Sequence, residues 1–228
     1  MRFSHEKIDK RAEPREWKDY RKTPGARYQS FDFLIDALLD EQGYICAYCE
    51  RRIPHQDVQQ EENHRIEHLS SQKKGREEGD DSDLDYDNMV ICCPGNISND
   101  KKQYHCDKAK GSKELTISPL SAAMMSTIRF TPTGKIKSTD EKLNSELGKD
   151  GLNLNNQRLV EHRQETWATV IEKLNHLRWT KKHVEDILSI WESRHTITYK
   201  GHECKAYYPF CSMVCYMLRK KLASGTLR

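Results

Sequence analysis

Long apolar stretches are missing from this sequence of 228 residues, of which only 36% are hydrophobic. No run approaches the roughly 20 apolar residues that a membrane-spanning helix needs. The first residues are charged and lack the apolar segment of a secretion signal, so we expect a cytoplasmic protein with no membrane span. Mean hydropathy is −0.92, which predicts a thin core that needs help from a metal or a partner.

Net charge is also small, because 38 basic residues nearly balance 35 acidic ones. A formal charge of +3 is too low for strong unaided attraction to nucleic acid, so such a contact needs a local patch or another subunit. Eight cysteines without a secretion signal fit a reducing compartment. In that setting, paired cysteines are more often metal ligands than disulfides.

Hydrophobic periodicity and turn residues predict an α+β fold with an N-terminal helix and a mainly helical C-terminal region. The predicted elements are an irregular arm over 1–27, a helix over 31–42 with Ser30 as its N-cap and Gly43 at its end, a strand over 89–93, a hairpin over 128–138, and helices over 156–193 with a cap at Thr180. Polar loops are expected over 55–63, 71–83 and 94–105.

The stretch CAYC at 46–49 contains two cysteines at the spacing that lets two thiolates bind one zinc ion from a tight turn. Tetrahedral zinc needs a second pair, and Cys92, Cys93 and Cys106 are the candidates downstream. The predicted structural zinc ligands are Cys46, Cys49, Cys93 and Cys106. His105 is an alternative ligand, and spacing alone does not separate Cys93 from Cys92.

The residues around these cysteines include a set suited to phosphodiester hydrolysis: Glu67, His68, Asn88 and Asp107. An imidazole can remove a proton from water as a general base. Two carboxylates can hold Mg²⁺ or Mn²⁺, which prefer oxygen ligands and stabilise charge on a phosphate and its leaving oxygen. A carboxamide can fix the orientation of the imidazole.

Four stretches together resemble the motif of the HNH endonuclease family: CAYC, RIEHL at 65–69, YDNMVICC at 86–93 and HCDKAKG at 105–111. In that family a C-x-x-C precedes an acidic residue and a His. An Asn then opens a strand ending in Cys, and a second Cys is followed by His or Asn and then by Lys. The chain resembles most the PtuB nuclease subunits of Septu anti-phage systems and their retron-linked relatives, which GLNLNNQRLVEHR at 151–163 and RFTPTGKI at 129–136 also resemble.

The resemblance implies a ββα-metal core, held together by zinc, over 45–115, between an N-terminal arm and helix over 1–44 and a hairpin plus helical region over 116–228. The implied catalytic residues are Glu67 and Asp107 as ligands of Mg²⁺ or Mn²⁺, His68 as the general base and Asn88 as the residue that positions it. Cys93 is preferred over Cys92 because the family's cysteine lies five positions after the Asn. Lys110 matches the family's trailing lysine, which implies a phosphate contact.

Three departures from the family pattern bear on this site. Glu67 replaces the commoner Asp, and Asp107 replaces the commoner His or Asn, but both keep an oxygen donor for the metal. A long loop separates Cys93 from Cys106 where many relatives have two residues. The loop leaves the position of Asp107 open and makes His105 a rival ligand for either metal.

The implied activity is hydrolysis of nucleic acid, with DNA as the expected substrate, in a defence complex with a PtuA-like ATPase. The helices of 156–193 and the aromatic-rich segment 207–216 either form the surface that binds this partner or belong to the chain's own core. Two alternatives stay open. One is an RNA- or tRNA-cleaving effector of a retron-type system with the same site. The other is an adaptor that binds zinc and nucleic acid or the ATPase without cutting, and it would not need His68.

Overall fold

The computed structural model describes residue 8 and residues 10–53, 63–70, 83–95 and 100–227. These residues form eight α-helices and three two-stranded antiparallel sheets. The helices are α1 Arg15–Tyr20, α2 Asp32–Gln42, α3 Cys106–Lys110, α4 Ala122–Met125, α5 Glu141–Leu147, α6 Gln157–Leu177, α7 Lys181–Glu192 and α8 Cys211–Ala223. The strands are β1 Arg65–His68, β2 Met89–Cys92, β3 Ile128–Phe130, β4 Ile136–Ser138, β5 His195–Tyr199 and β6 His202–Ala206. The fold is therefore mixed, with helices and small sheets.

Of the predicted elements, helix α2 agrees best with the prediction from its sequence pattern. Leu34, Ile35, Leu38 and Leu39 recur on one face and are buried. Gly43 ends the helix in a left-handed conformation, and the amides of Gly43 and Tyr44 donate to the carbonyls of Asp40 and Leu39. The predicted N-cap is wrong, because Phe31 occupies that position and no side chain caps the helix.

Strands β1 and β2 pair antiparallel, with Glu67 opposite Val90 and His68 opposite Met89. Every residue of β2 is buried, as expected for a short apolar strand in the centre of a small fold. Helix α3 follows, so the order of these elements is ββα. The polar loops expected over 55–63 and 71–83 lie almost wholly outside the described residues, and the loop expected over 94–105 contains a short 3₁₀ turn at Lys101–Gln103.

The hairpin predicted over 128–138 is confirmed as β3 and β4, with Phe130 opposite Ile136. The helical prediction over 156–193 is confirmed as α6 and α7, separated by a break at Arg178, and Thr180 caps α7 by accepting from the amide of His183. A further hairpin, β5–β6, follows α7 and was not predicted from the sequence.

Buried apolar residues form two clusters. The larger contains α1, α2, β2 and the cysteines near them, and the smaller is formed by α6, α7 and α8. Phe130 of β3 packs against both clusters. The hairpin β3–β4 therefore links the N-terminal and C-terminal parts of the structure.

The N-terminal segment is not wholly irregular, which corrects the prediction for 1–27. Residues 15–20 form α1, and Trp17 on this helix is completely buried. The indole Nε1 donates to the carbonyl of Leu84 at 3.0 Å, and Trp17 makes an edge-on contact with Phe31. The buried indole thus fixes α1 together with Tyr20, which packs against the same cluster and edge-on against Phe31.

Replacement of Trp17 by Ala is expected to lower the free energy of unfolding by about 3–5 kcal/mol, because it removes a fully buried indole and leaves a cavity. Urea unfolding of the zinc-loaded protein would measure this loss. Lys18→Ala, at the exposed neighbouring position, is the control and should change stability by less than about 0.5 kcal/mol. A loss below about 1 kcal/mol for Trp17→Ala would contradict the packing of α1 described above.

Candidate metal centre and adjoining cleft

Four cysteine sulfurs converge at one buried point, although they come from three separate stretches of chain. Cys46 and Cys49 lie in the turn after α2, Cys93 follows β2, and Cys106 begins α3. All four Sγ atoms lie within 4.8 Å of one another. Two backbone hydrogen bonds shape the turn. The amide of Glu50 donates to the carbonyl of Cys46, and the amide of Cys46 donates to the carbonyl of Arg51.

The distances between these sulfurs fit zinc. Cys46 Sγ lies 3.7 Å from Cys106 Sγ, and Cys93 Sγ lies 3.7 Å from Cys49 Sγ and 3.8 Å from Cys106 Sγ. A tetrahedron with Zn–S bonds of about 2.3 Å has edges of about 3.8 Å. The buried four-cysteine group is therefore suited to hold a metal such as zinc, which agrees with the predicted structural zinc site.

The four thiols differ in how readily they lose a proton, and burial raises the pKa of Cys93 and Cys106 well above the usual value. Burial alone would raise the pKa of Cys46, but hydrogen bonds with other thiols, first that of Cys106, lower this pKa well below its usual value. Burial also opposes ionisation of Cys49, yet hydrogen bonds with Cys106 and Cys93 help to lower the pKa of its thiol to about 6. A metal ion replaces such protons, because thiolates are the binding form.

Cys92 and His105, which the sequence left open as alternative zinc ligands, lie beside the four sulfurs. The Cys92 thiol is buried, and burial raises its pKa well above the usual value. The Nδ1 atom of His105 lies 3.1 Å from Cys106 Sγ and 3.8 Å from Cys93 Sγ, distances that suit an N–H donor to sulfur. Neither belongs to the converging set, which contains Cys93 as predicted.

Gly95 shows how tightly the loop before α3 packs. The amide of His105 donates to the carbonyl of Gly95 at 2.8 Å. Gly95 has a φ of +75°, and a Cβ atom there would lie 2.2 Å from the carbonyl oxygen of His105. Only glycine fits this approach, which places Cys106 beside Cys93.

An open cleft of about 450 Å³ adjoins α3, the helix that Cys106 begins. The structure brings Glu67 of β1 together with Asp107 and Lys110 of α3 in this cleft. The Lys110 ammonium forms an ion pair with the Glu67 carboxylate and donates to the carbonyl of His68 at 3.3 Å. Lys110 thus contacts the proposed metal ligand, and its predicted phosphate contact stays a prediction.

Glu67 has an unusual titration behaviour for a carboxyl group. Burial and a hydrogen bond with Asp107 raise the pKa of Glu67 to about 7, although the charge of Lys110 opposes this shift. Arg65 lies two residues earlier on the same face of β1, and its Nη1 atom is 3.5 Å from Asp107 Oδ2. Glu67 and Asp107 are therefore two adjacent carboxyl groups, each with a cationic side chain beside it.

His68 lies next to Glu67 on β1 and is also buried. Its Nε2 atom is 3.1 Å from the carbonyl oxygen of Asp83. A carbonyl can only accept, so Nε2 carries the hydrogen and Nδ1 carries the lone pair of the neutral ring. The ring of Tyr28 packs edge-on against the imidazole, with centroids 4.6 Å apart and planes at 90°. These contacts fix the tautomer and restrict the rotation of His68.

Asn88 holds the end of β1. The Ser70 amide donates to Asn88 Oδ1 at 2.7 Å, and Asn88 Nδ2 donates to the carbonyl of Ser70 at 3.2 Å. The backbone carbonyl of Asn88 also accepts from the amide of Leu69. Asn88 therefore positions the chain directly after His68, which is compatible with a positioning role.

Four residues that contact the predicted site residues were missed by sequence reasoning: Tyr28, Tyr48, Arg65 and Asp83. The hydroxyl of Tyr48, within the C-x-x-C turn, donates to Glu67 Oε1 at 3.4 Å and so links the cysteine cluster to the cleft. Arg65 was detectable, because alternation along a strand places it on the face of Glu67. Tyr28 and Asp83 are distant in sequence, and no local pattern indicates their positions.

Comparison with known proteins does not identify the chain. No protein-family model matches it, and no curated protein shows significant similarity. Among the helices of the described ranges, none combines the length and apolar character that crossing a membrane requires. The assignment of function therefore depends on the geometry of the cysteine cluster and the cleft.

We expect Cys93→Ser to lose zinc and Cys92→Ser to retain it, because only the Cys93 sulfur belongs to the converging set. Zinc content by mass spectrometry and competition with a chromophoric chelator would measure the difference. Zinc affinity should fall at least about a hundredfold for Cys93→Ser. Loss of a residue that only supports a ligand already lowers metal affinity about 10- to 100-fold, and loss of the ligand itself costs more. Equal zinc loss in both variants would contradict the assignment of the fourth ligand.

The stability of the zinc-loaded protein without Mg²⁺ or Mn²⁺ is expected to depend on Glu67. In the folded protein the pKa of Glu67 is about 7, above its ordinary value of 4.5. The protonated Glu67 side chain therefore contributes its full stabilisation below about pH 4.5, and this stabilisation is lost as pH rises through 7. From pH 5 to pH 8, the wild type should lose about 2–3 kcal/mol more than Glu67→Gln in denaturant unfolding.

The control for this measurement is Glu165→Gln, at an exposed position of α6. Its pH dependence should match that of the wild type. If Glu67→Gln also follows the wild type across this range, the raised pKa of Glu67 is wrong.

Proposed function

We propose that the chain is a metal-dependent HNH-type nuclease that hydrolyses phosphodiester bonds. The observation that carries this proposal is the pair formed by Glu67 and Asp107 in an open cleft, with His68 next to Glu67 in the chain. Glu67 and His68 lie on β1, which pairs with β2, and the cysteine cluster joins the end of β2 to the start of α3, an arrangement that supports an HNH core. In this proposal Cys46, Cys49, Cys93 and Cys106 hold a structural zinc ion.

Glu67 and Asp107 would hold Mg²⁺ or Mn²⁺, which supplies charge stabilisation for the phosphate and the leaving oxygen when bound. Burial of Glu67 next to a second carboxyl group favours cation binding, because two close negative charges repel each other in the absence of a counterion. Arg65 and Tyr48 hold the two carboxyl groups in place through their contacts with Asp107 and Glu67. Their role is to orient the ligands.

His68 acts as the general base in this proposal. Nε2 donates to the carbonyl of Asp83, and in this proposal Nδ1 is the nitrogen that takes a proton from water. The carbonyl also stabilises the imidazolium that forms, since it accepts from a ring that has become positive. Tyr28 and Asn88 limit the movement of the ring and of the chain beside it.

Nucleic acid is the proposed substrate, with DNA favoured over RNA. Three cationic side chains, Arg65, Lys110 and Lys113, line the cleft and favour a phosphate backbone. The small net charge of +3 supports the view that binding is weak without a partner. We propose a PtuA-like ATPase as that partner in a defence complex, and the eight free cysteines support a cytoplasmic location.

His68→Ala is expected to lower nuclease activity about 10²- to 10⁴-fold, the usual contribution of a general base. The assay compares plasmid DNA with total tRNA, with Mg²⁺ or Mn²⁺, for the chain alone and with the candidate ATPase. Zinc content should be unchanged, because His68 is not among the converging ligands, whereas the unfolding midpoint should fall because a buried imidazole is lost. His176→Ala, at an exposed position of α6, is the matched control and should cleave like the wild type.

The outcomes separate the three functions. Cleavage of DNA that requires His68 supports the proposal, whereas His68-dependent cleavage of tRNA alone supports the RNA-cleaving effector. Zinc binding without cleavage of either substrate, with biological activity retained in His68→Ala, would support the adaptor and overturn the nuclease proposal.

A further inference from the structure

Lys110 is the last residue of α3, and only 8% of its surface is exposed. Lysine is rarely buried to this extent unless its charge is paired. Its ammonium forms an ion pair with the Glu67 carboxylate and donates to the carbonyl of His68 at 3.3 Å, and both of these residues lie on β1. Lys110 therefore joins the end of α3 to the strand that contains Glu67 and His68.

A second pair of opposite charges lies in the same cleft, but it is more exposed. Arg65 Nη1 is 3.5 Å from Asp107 Oδ2, and these two side chains are 33% and 22% exposed. The side chains of Lys110 and Glu67 are only 9% and 8% exposed. Because a buried carboxylate without a counterion is costly, Lys110 is the cation on which ionised Glu67 depends most in this structure.

Two donors meet at one oxygen of Glu67. Oε1 accepts from the Lys110 ammonium and also from the hydroxyl of Tyr48, which is 3.4 Å away. A carboxylate oxygen has about two lone pairs, so these two donors occupy the acceptor sites of Oε1. A divalent cation held by the same carboxyl group would also repel the adjacent ammonium. Lys110 and such a cation therefore compete for Glu67.

A lysine is well suited to leave such a position. Its ammonium is a compact charge at the end of a flexible stem, whereas the guanidinium of an arginine is a rigid fork. Lys110 forms part of the wall of the open cleft. Rotation of its stem can therefore move the ammonium away from Glu67 and into the space that a substrate would enter.

We propose that Lys110 is an internal counterion of Glu67, that it leaves Glu67 when a divalent cation binds, and that its released ammonium then contacts a phosphate of the substrate. This inference rests on the proposed function and adds a regulation of the same site, in which a lysine holds the cleft together until metal arrives. It also reconciles the ion pair in the structure with the phosphate contact that the HNH resemblance implies for Lys110.

Metal affinity tests the competition. Mn²⁺ would be titrated at pH 8 into the zinc-loaded full chain and into Lys110→Met, with free Mn²⁺ measured by electron paramagnetic resonance. We expect Lys110→Met to bind Mn²⁺ at least about tenfold more tightly, because the ion no longer displaces an ammonium. Lys108→Met is the same change on the same helix and should bind like the wild type, since the Lys108 ammonium lies over the ring of Tyr104.

Lysine labelling tests the release. The zinc-loaded wild type would be treated briefly with acetic anhydride, without and with saturating Mg²⁺, and the acetylation of each lysine measured by mass spectrometry. Labelling of Lys110 should be slow without Mg²⁺, because its amine is buried and paired, and should rise several-fold with Mg²⁺. Labelling of Lys108 should not change. This readout requires no cleavage and no substitution, so it decides the question even if Lys110→Met does not fold.

Protection by DNA tests the phosphate contact. Duplex DNA would be added to the His68→Ala protein with Mg²⁺, so that it binds without being cut. Labelling of Lys110 should then fall again, because its released amine contacts a phosphate. Unchanged labelling on addition of bound DNA would overturn this part of the proposal.

The remaining outcomes separate this inference from the proposed function. Equal Mn²⁺ affinity of the wild type and folded Lys110→Met, or unchanged labelling of Lys110 at saturating Mg²⁺, would overturn the inference and leave the nuclease proposal standing. If neither protein binds Mn²⁺, or if Glu67→Gln binds it as tightly as the wild type, the proposed catalytic metal site is wrong as well.

Discussion

The convergence of four thiols is the constraint on which the rest of the structure depends. It joins the turn after α2 to the end of β2 and to the start of α3, and so determines where Glu67 and Asp107 meet. Several residues near these thiols, among them Tyr44, Glu50 and Cys106, have positive φ values, a conformation that costs L-residues energy. A metal ion is well suited to offset that cost, since its binding free energy contributes to folding.

In the cleft, opposing effects act on the ionisation of Glu67. Burial and a neighbouring carboxyl group disfavour the ionised form of Glu67, while Lys110 favours it. The negative charge of the carboxyl pair is thus reduced by burial and balanced by Lys110 and Arg65. The hydrogen bond from Tyr48 connects this balance to the cysteine turn, so the two centres share structural support.

Much of the fold followed from local patterns, and what did not follow depends on contacts between distant residues. The spacing of Leu34 and Leu38 and the glycine after them predicted α2 well, because helix periodicity and termination are local properties. The cysteine set also followed from spacing and resemblance. Tyr28, Asp83 and the burial of Trp17 could not be predicted, since each depends on a partner far away in the chain.

The same reasoning explains the errors at the chain's ends. Polar composition predicted an irregular arm, but the tertiary contacts of Trp17 and Tyr20 order α1. The hairpin β5–β6 was detectable, because Thr196 and Thr198 alternate with Ile197 and Tyr199 along β5 and a glycine follows at 201, but its strands are short and only partly buried. The resemblance to HNH nucleases added the roles of individual residues, which neither periodicity nor composition contains.

The buried guanidinium of Arg163 has a consequence for how the protein is made. Burial lowers the pKa of Arg163, and negative charge at Cys49, Glu50 and Cys106 opposes that shift. Zinc bound by four thiolates carries a net negative charge, and Arg163 compensates it from a helix that the ribosome synthesises more than 50 residues after Cys106. The thiolate cluster can therefore assemble early on the nascent chain, while its counterion arrives late.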